Sequence, residues 1–518
     1  MVESNKQPLL SPKHSNTSIS SSPSPPPPPP PPSSSINGDE EGDIKPIGNI
    51  KDFIREFSAE SKKQLYLAGP ATFIALCNCT LLTITEVFAG HIGTTEPAAM
   101  SVQISVISGF TSGILLGMGS ALETLCGQAF GAGQLNMLGI YVQRSWIILI
   151  TTTLILMFLY IFATPILIFI GQTPEISKAV GAFTVWMIPQ PFGQAINCPL
   201  TKFMQMQSKM MEMAVIIGAT TVFHASFCWL LMLKLEMGLI GAAIVVNCSS
   251  WFLTIAQLMY VFSGSCGRAW SGFSWKAFHH LCEYIRLTLQ SAAMPCLQSW
   301  YATVVVLFAG YMKNAELSVD AMSISMNVCN MTSVVAVGFC TSISIRVSNE
   351  LGAAHGHKAN FSVVVGAIYS SLLGLAMALI LMITRNQYPD LFSDSEQVKQ
   401  LVSELTPLVG VNIVISSVQA SLSGAAIGAG WQAYVAYVNL GCYYLFGVPL
   451  GLVLAYDFNM DVIGIWYGMV SGLCLQTCFL LWMIYRTNWN KEAFIVGDRI
   501  KEWRRKIGTK ENDEESKK

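Results

Sequence analysis

A chain of 518 residues that is 52% hydrophobic, 12% charged and of net charge −1 carries about half the charged share usual for a soluble domain, which is roughly 25%. That balance excludes nucleic acid as a partner drawn by bulk charge, and a mean hydropathy of +0.48 makes lipid the expected solvent. The 14 cysteines are scattered singly, with no Cys-x-x-Cys spacing, so they read as apolar packing rather than zinc or redox centres.

Residues 1–45 hold Ser and Pro tracts, with Pro25 to Pro32 unbroken, and then Asp39, Glu40, Glu41 and Asp43. Such a composition cannot bury a core and reads as a disordered cytosolic tail, locally polyproline II. No cleavable signal peptide follows the first Met, so the first span is expected to serve as the signal. Twelve apolar stretches follow, each near the roughly 20 residues that cross a bilayer. In the first half, 46–262, they run 64–86, 98–121, 143–165, 178–199, 211–233 and 239–262. A linker, 263–285, leads to the second half, 286–485, with stretches at 286–310, 319–345, 360–383, 401–425, 432–455 and 462–485. Backbone in lipid must satisfy itself, so runs of this length are helices.

The basic tail, 486–518, closes the chain. Val496, Ile500, Trp503 and Ile507 recur at helical spacing beside Arg499, Lys501, Arg504, Arg505 and Lys506. That pattern predicts an amphipathic helix with its apolar stripe in the headgroup region. Counted by side, 25 of the 30 lysines and arginines fall with the two tails, which places both termini in the cytosol.

The two halves repeat one another. Gly117-Met-Gly-Ser-Ala-Leu-Glu-Thr-Leu-Cys-Gly-Gln-Ala-Phe-Gly131-Ala132 lies over Gly338-Phe-Cys-Thr-Ser-Ile-Ser-Ile-Arg-Val-Ser-Asn-Glu-Leu-Gly352-Ala353 at an offset of 221. Phe88-Ala89-Gly90 recurs at 308–310, and Leu239-Ile-Gly241 as Val462-Ile-Gly464, at offsets of 220 and 223. Six spans per copy makes the repeats parallel, related by an axis along the membrane normal, an arrangement in which secondary transporters hold substrate between halves.

Enzyme signatures are missing: no His-Glu-x-x-His, no Gly-x-Ser-x-Gly and no phosphate loop. No catalytic residue, metal or cofactor is expected. His279-His280 and His355-x-His357 sit in cytosolic loops. Asn-x-Ser/Thr sites at Asn16, Asn78, Asn247, Asn330 and Asn360 fall in the tail, in spans or at a cytosolic end, so none reads as glycosylated. Three spans instead carry polar stripes. Asn412, Ser416, Gln419 and Ser423 share a face of the tenth, and Asp320, Ser323, Asn327 and Asn330 one of the eighth. Asn78 and Thr85 share one of the first. Buried amides are costly in hydrocarbon unless paired or wetted. Three such stripes predict a shared aqueous cavity, with Trp300, Tyr301, Tyr443 and Tyr444 as stacking surface.

Ala121-Leu-Glu-Thr-Leu-Cys-Gly-Gln-Ala-Phe-Gly-Ala132, Arg346-Val-Ser-Asn-Glu-Leu-Gly-Ala353, Gly428-Ala-Gly-Trp-Gln432 and Ala436-Tyr-Val-Asn-Leu440 closely resemble the plant branch of the multidrug and toxic compound extrusion (MATE) transporters, the DETOXIFICATION proteins. The resemblance covers roughly residues 50–490. It implies an all-α membrane protein of twelve transmembrane helices, two parallel six-helix repeats forming two lobes around a central cavity. It implies export of small organic compounds from the cytosol, usually against protons, by a monomer in the vacuolar membrane or the plasma membrane.

The resemblance breaks at the coupling chemistry. Plant members commonly have Cys-Leu-Glu-x-Trp-Tyr in the seventh span, where this chain reads Cys296-Leu-Gln298-Ser-Trp300-Tyr301. Some members carry an Asp on the tenth span where Ser416 stands. By the repeat offset Gln298 pairs with Asn78. A carboxyl can titrate and an amide cannot. Either coupling has moved to the nearest remaining acids, Glu86 and Asp320, or the protein is not a proton antiporter of the usual kind. The expected cavity residues are Asn78, Gln298, Trp300, Tyr301, Asn327, Asn330, Asn412, Ser416 and Gln419. A passive anion pathway of the same fold is the alternative, and a receptor or scaffold the alternative outside transport.

Overall fold

The computed structural model describes residues 42–44, 49–90, 95–309, 312 and 315–515; the Ser/Pro-rich tail and its Asn16 and Glu40 lie outside them. Among the described residues there is helix and no strand. The first half contains α1 (Ile50–Gly90), α2 (Ala99–Gly131), α3 (Leu135–Ile161), α4 in two pieces (Pro174–Trp186 and Pro189–Met206), α5 (Met210–Lys234) and α6 (Gly238–Ser265). The second contains α7 (Leu281–Ala309), α8 (Ala315–Gly352), α9 (Gly356–Ile383), α10 (Glu396–Ala429), α11 (Gln432–Asp457) and α12 (Asp461–Arg486). Ten of these are long and apolar enough to cross a membrane; α4 and α7 complete the twelve-helix bundle. A last helix, α13 (Trp489–Glu515), follows.

The spans are less regular than their hydropathy suggests. At 41 and 38 residues, α1 and α8 are about twice the roughly 20 needed to span the hydrocarbon and run on beyond it. Pro189 and Pro191 interrupt α4, because proline removes a backbone donor and clashes with the preceding turn. Carbonyls exposed by the break are satisfied from α6: Asn247 Nδ2 donates to Trp186 O at 2.8 Å and Trp251 Nε1 to Pro189 O at 3.2 Å. A broken helix at membrane depth is tolerable only with such help. Turns of π-helix occur at Gln103–Ser108, Trp229–Lys234, Val261–Ser265, Leu440–Gly447 and Val453–Asp457.

Packing divides along the membrane normal. One apolar core belongs to the first half alone and includes Ala89, Met100, Ile107, Tyr160, Val180, Met232 and Ala242. Another belongs to the second half alone and includes Tyr301, Met312, Met322, Val402, Tyr443 and Trp466. Both lie toward the end where α1 finishes and α8 begins. At the opposite end a single core takes side chains from both halves, among them Leu125, Phe203, Met206, Ile345, Leu351 and Leu422. The halves are thus fused at one end and separately cored at the other.

The apolar stripe of α13 is occupied by protein. Of the four stripe residues, Val496 and Ile500 are buried in the shared core beside Trp489 and Ala493, and Trp503 packs against it. These three are not free for the headgroup region that the sequence pattern predicts; the Ile507 side chain lies outside the described residues. Arg499 Nη1 donates to Gln128 Oε1 at 3.3 Å. Burial pulls this guanidinium below its ordinary pKa, with Glu492 and Tyr141 opposing. Trp503 stands edge-on to Tyr141 at 6.2 Å and beneath the Arg144 guanidinium at 5.6 Å.

Candidate functional site at the joint between the halves

Two glycine crossings set how the halves meet. A methyl on Gly117 of α2 would lie 3.1 Å from the Ala292 Cα of α7, and one on Gly338 of α8 would be 3.1 Å from the Ala68 carbonyl of α1 and would overlap the Thr72 hydroxyl. Gly338 is the repeat counterpart of Gly117 at 221, and Ala292 that of Thr72 at 220. One contact therefore occurs twice, as an internal two-fold requires.

The fused end is symmetric in the same way. A methyl on Gly131 would overlap the Asn349 carbonyl, and one on Gly352 the Gln128 carbonyl; Gln128 and Asn349 are themselves counterparts. Gln128 Nε2 donates to Gly428 O at 3.0 Å, and Asn349 Nδ2 to Met206 O at 3.2 Å. Between these contacts Ser344 Oγ donates to Glu123 Oε1 at 2.5 Å, while Lys202 Nζ holds Glu123 Oε2 at 2.5 Å. Thr124 Oγ1 donates to Ile427 O at 2.6 Å and accepts from Gln432 Nε2 at 2.7 Å. Gly430, at φ 86°, turns the chain so that α11 starts where Gln432 reaches this joint; a β-branched residue there would be strained. Beside it, Arg346 pairs with Glu60 of α1 at 2.8 Å and with Glu350 at 2.7 Å. These interleaved motifs seal one end.

On the other side of the crossings lie the expected cavity residues of α1, α7 and α8. Asn78 is six residues past Thr72 and Gln298 six past Ala292, about 9 Å along their helices. Asn330 and Asn327 precede Gly338 by about 12 and 16 Å. All four are exposed. Trp300, 46% exposed, stacks on Phe110 of α2 at 6.1 Å with ring planes 5° apart, an aromatic pair shared by the two halves.

The remaining expected residues sit elsewhere. Asn412 and Gln419 are 9% and 4% exposed and are paired inside the second half. Asn412 Oδ1 accepts from Ser416 Oγ at 3.2 Å and from Cys329 Sγ at 3.7 Å, and Gln419 Nε2 donates to Ser423 Oγ at 2.9 Å. Tyr301 is buried and stacked on Tyr443 at 4.6 Å; Tyr443 donates to Gln476 at 2.6 Å, and Gln476 to Asn439 at 2.6 Å. Glu86 and Asp320 are exposed, about 12 Å beyond Asn78 and about 10 Å before Asn327 along their helices. The structure does not bring them to the amides.

The sequence reading passed over His224 of α5. Only 2% exposed, its ring lies between Thr85 Oγ1 of α1 at 2.8 Å and Ser249 Oγ of α6 at 2.9 Å. The available signal was that, of 7 histidines, only this one falls inside a predicted span.

Parallel repeats of six helices, fused at one end and separately cored at the other, are an architecture of membrane transporters. One family model, MatE, matches residues 70–230 and 291–453, a stretch in each half. Protein DETOXIFICATION 29 and Protein DETOXIFICATION 30 of Arabidopsis thaliana are 56% and 55% identical to the chain over 461 residues. These alignments cover 89% of the chain and 92% and 93% of the relatives. The crystal structure of the eukaryotic MATE transporter AtDTX14 matches with a TM-score of 0.81 at 32% identity, over 86% of this chain and 100% of that one. The Vibrio cholerae MATE transporter VcmN in the bent form has a TM-score of 0.74 at 16% identity, over 85% and 99%, a likeness of fold alone. The chain belongs to the MATE family and is an efflux transporter of the DETOXIFICATION type.

Proposed function

We propose that this chain is a secondary active exporter that moves small organic compounds from the cytosol across a vacuolar or plasma membrane as a monomer. Its two halves, 46–262 and 286–485, act as the rocking units and 263–285 as their tether. The observation that carries this reading is the doubled set of glycine crossings, Gly117 with Ala292 and Gly338 with Thr72. Close, side-chain-free contacts placed symmetrically let two halves pivot against each other at the crossings. The lysine and arginine count assigns the sealed end to the cytosol, so the described state is the one open away from it.

Substrate is held on the open side of the crossings. Exposed amides within spans are tolerable where they line a wetted cavity, so Asn78, Gln298, Asn327 and Asn330 supply neutral hydrogen-bonding groups there. Trp300 and Phe110 offer a flat aromatic wall. A neutral amide lining also suits anions, which keeps passive anion conduction as the second reading.

Purified protein in liposomes tests both. Flavonoid conjugates, alkaloids, organic acids, ethidium and chloride are offered with and without a pH gradient. Accumulation of an organic compound against its gradient supports the exporter. Chloride current without accumulation supports the second reading, and neither result leaves the receptor or scaffold.

A further inference from the structure

The seventh and tenth spans hold Gln298 and Ser416 where coupling carboxylates are expected, yet the first half holds a sealed imidazole. His224 joins three helices, α5 to α1 through Thr85 and α5 to α6 through Ser249. We propose that His224 is the residue at which the first half takes up and releases a proton during the transport cycle. This rests on the exporter reading.

The hydrogen bonds around the ring suit both of its charge states. Thr85 Oγ1 donates its own proton to Leu81 O at 2.9 Å, so it receives one from His224 Nε2. Nδ1 is then left to accept from the Ser249 hydroxyl. This is the neutral ring, with both nitrogens satisfied. Adding a proton at Nδ1 makes both nitrogens donors. Ser249 Oγ then turns from donor to acceptor by rotating its hydroxyl, and the Leu81 carbonyl also lies beside the ring. No hydrogen bond is lost on protonation; what the buried site lacks is a counter-charge. In the sealed arrangement the ring is neutral for that reason. Loosening of α1 and α6 against α5 admits water, and the ring takes its proton then. Closing again expels it.

The titratable neighbours do not supply the charge. On α5 the nearest is Cys228, one turn on, buried and hydrogen-bonded to Thr85. On α1, Glu86 follows Thr85 but is exposed, and on α6 Cys248 beside Ser249 is exposed. On α4, Lys202 is paired with Glu123 at the sealed end, and Lys234 in the last turn of α5 lies over the Trp229 ring at 5.6 Å. Among the described residues no ion pair includes His224.

Two further observations mark the place. The π-helical turn Trp229–Lys234 begins five residues after His224, and such turns are frequent at functional sites. The second half has a π-helical turn at the matching place, Val453–Asp457, but lacks the polar bridge. At the repeat offsets Thr85 falls on Val305, His224 on Phe446 or Gly447, and Ser249 on Gly472. A polar bridge kept in one copy and absent from the other gives the two halves unequal tasks.

The test uses the full chain in liposomes with ethidium as probe, together with nitrogen-15 NMR of the histidine rings in bilayers. As the pH falls from about 8 to 5, the window in which an imidazole changes charge, the His224 ring is expected to become doubly protonated in the share of molecules whose site has opened and to stay neutral in the rest. Ser249→Ala removes the Nδ1–H acceptor and is expected to move that midpoint to lower pH. His224→Gln keeps a donor and an acceptor but cannot titrate, so its ethidium transport should lose the stimulation that a pH gradient gives the wild type. A ring that stays neutral throughout, or a His224→Gln protein with the full gradient response, overturns the proposal. If the wild type moves no ethidium in either condition, the exporter reading loses its support for organic cations. The ring titration still decides the proton site.

Discussion

Glu123 and Ser344 occupy the same position of the duplicated half, 221 residues apart, and they are hydrogen-bonded to each other at 2.5 Å. A residue meets its own counterpart only on a two-fold axis, so this bond marks where the axis passes through the sealed end. The two copies have diverged there into a carboxylate and a hydroxyl, which lets one accept from the other. Lys202 supplies the cation that the acid needs.

Removing Glu123 should therefore damage the joint more than a surface mutation would. Glu123→Ala leaves Lys202, 20% exposed at its side chain, without its partner, and breaking a buried pair typically costs about 3–5 kcal/mol. Thermal unfolding in detergent should show the loss. Glu123→Met with Lys202→Met should recover much of it, since apolar replacement of a buried pair is often neutral. An unchanged unfolding temperature for Glu123→Ala would show that the pair carries no stability.

Gly352 makes a second demand on the same end. Any side chain there meets the Gln128 carbonyl, a backbone atom that cannot swing aside. Gly352→Val should hold α2 and α8 apart at the sealed end and shift the population away from the described state. Spin labels on the sealed ends of those helices would report longer distances, and ethidium transport should fall. Wild-type distances would mean that the joint has room to spare.

The duplication was legible because the motif glycines keep their spacing at backbone crossings, where drift is punished by overlap. Helical period could not say which neighbour a polar face meets. The α10 stripe of Asn412 and Gln419 and the α8 stripe of Asn327 and Asn330 both follow helical spacing, yet the first is bonded inside the second half and the second is exposed. His224 escaped because its partners Thr85 and Ser249 are 139 and 25 residues away, and a lone histidine carries no pattern.

That difference between stripes separates two mutations. Asn327→Leu should impair transport while leaving expression and unfolding temperature near wild type, because an exposed amide holds nothing in place. Asn412→Leu should cost stability, since it removes the acceptor of Ser416 and Cys329. The Cys329 bond crosses between helices, a kind that averages about 0.6 kcal/mol, and the stranded Ser416 hydroxyl of the same helix adds to that. Equal losses of expression in both variants would place Asn327 in packing rather than in the cleft.

Gln298→Glu restores a titratable group to the open side of the crossing. Its carboxyl can change charge as pH falls where the amide cannot, so the variant should acquire a second pH-dependent step in ethidium transport. Measuring rate against pH for both proteins checks this. Superimposable profiles would mean that position 298 does not face the transport route.

The α13 helix makes the last prediction. Trp489, Ala493, Val496 and Ile500 follow one another at helical spacing and are all buried, and Arg499 reaches Gln128, the residue whose carbonyl abuts Gly352. The helix therefore braces the sealed end instead of floating on lipid. Fully burying a side chain such as Val496 contributes roughly 1.5–3 kcal/mol, and a charge placed there must be desolvated as well. Val496→Asp should lower the unfolding temperature and speed proteolysis after residue 488, whereas Lys501→Asp, on the exposed face, should do neither. If Val496→Asp unfolds like the wild type while vesicles of anionic lipid protect the helix from protease, then lipid and not the joint is what covers its apolar stripe.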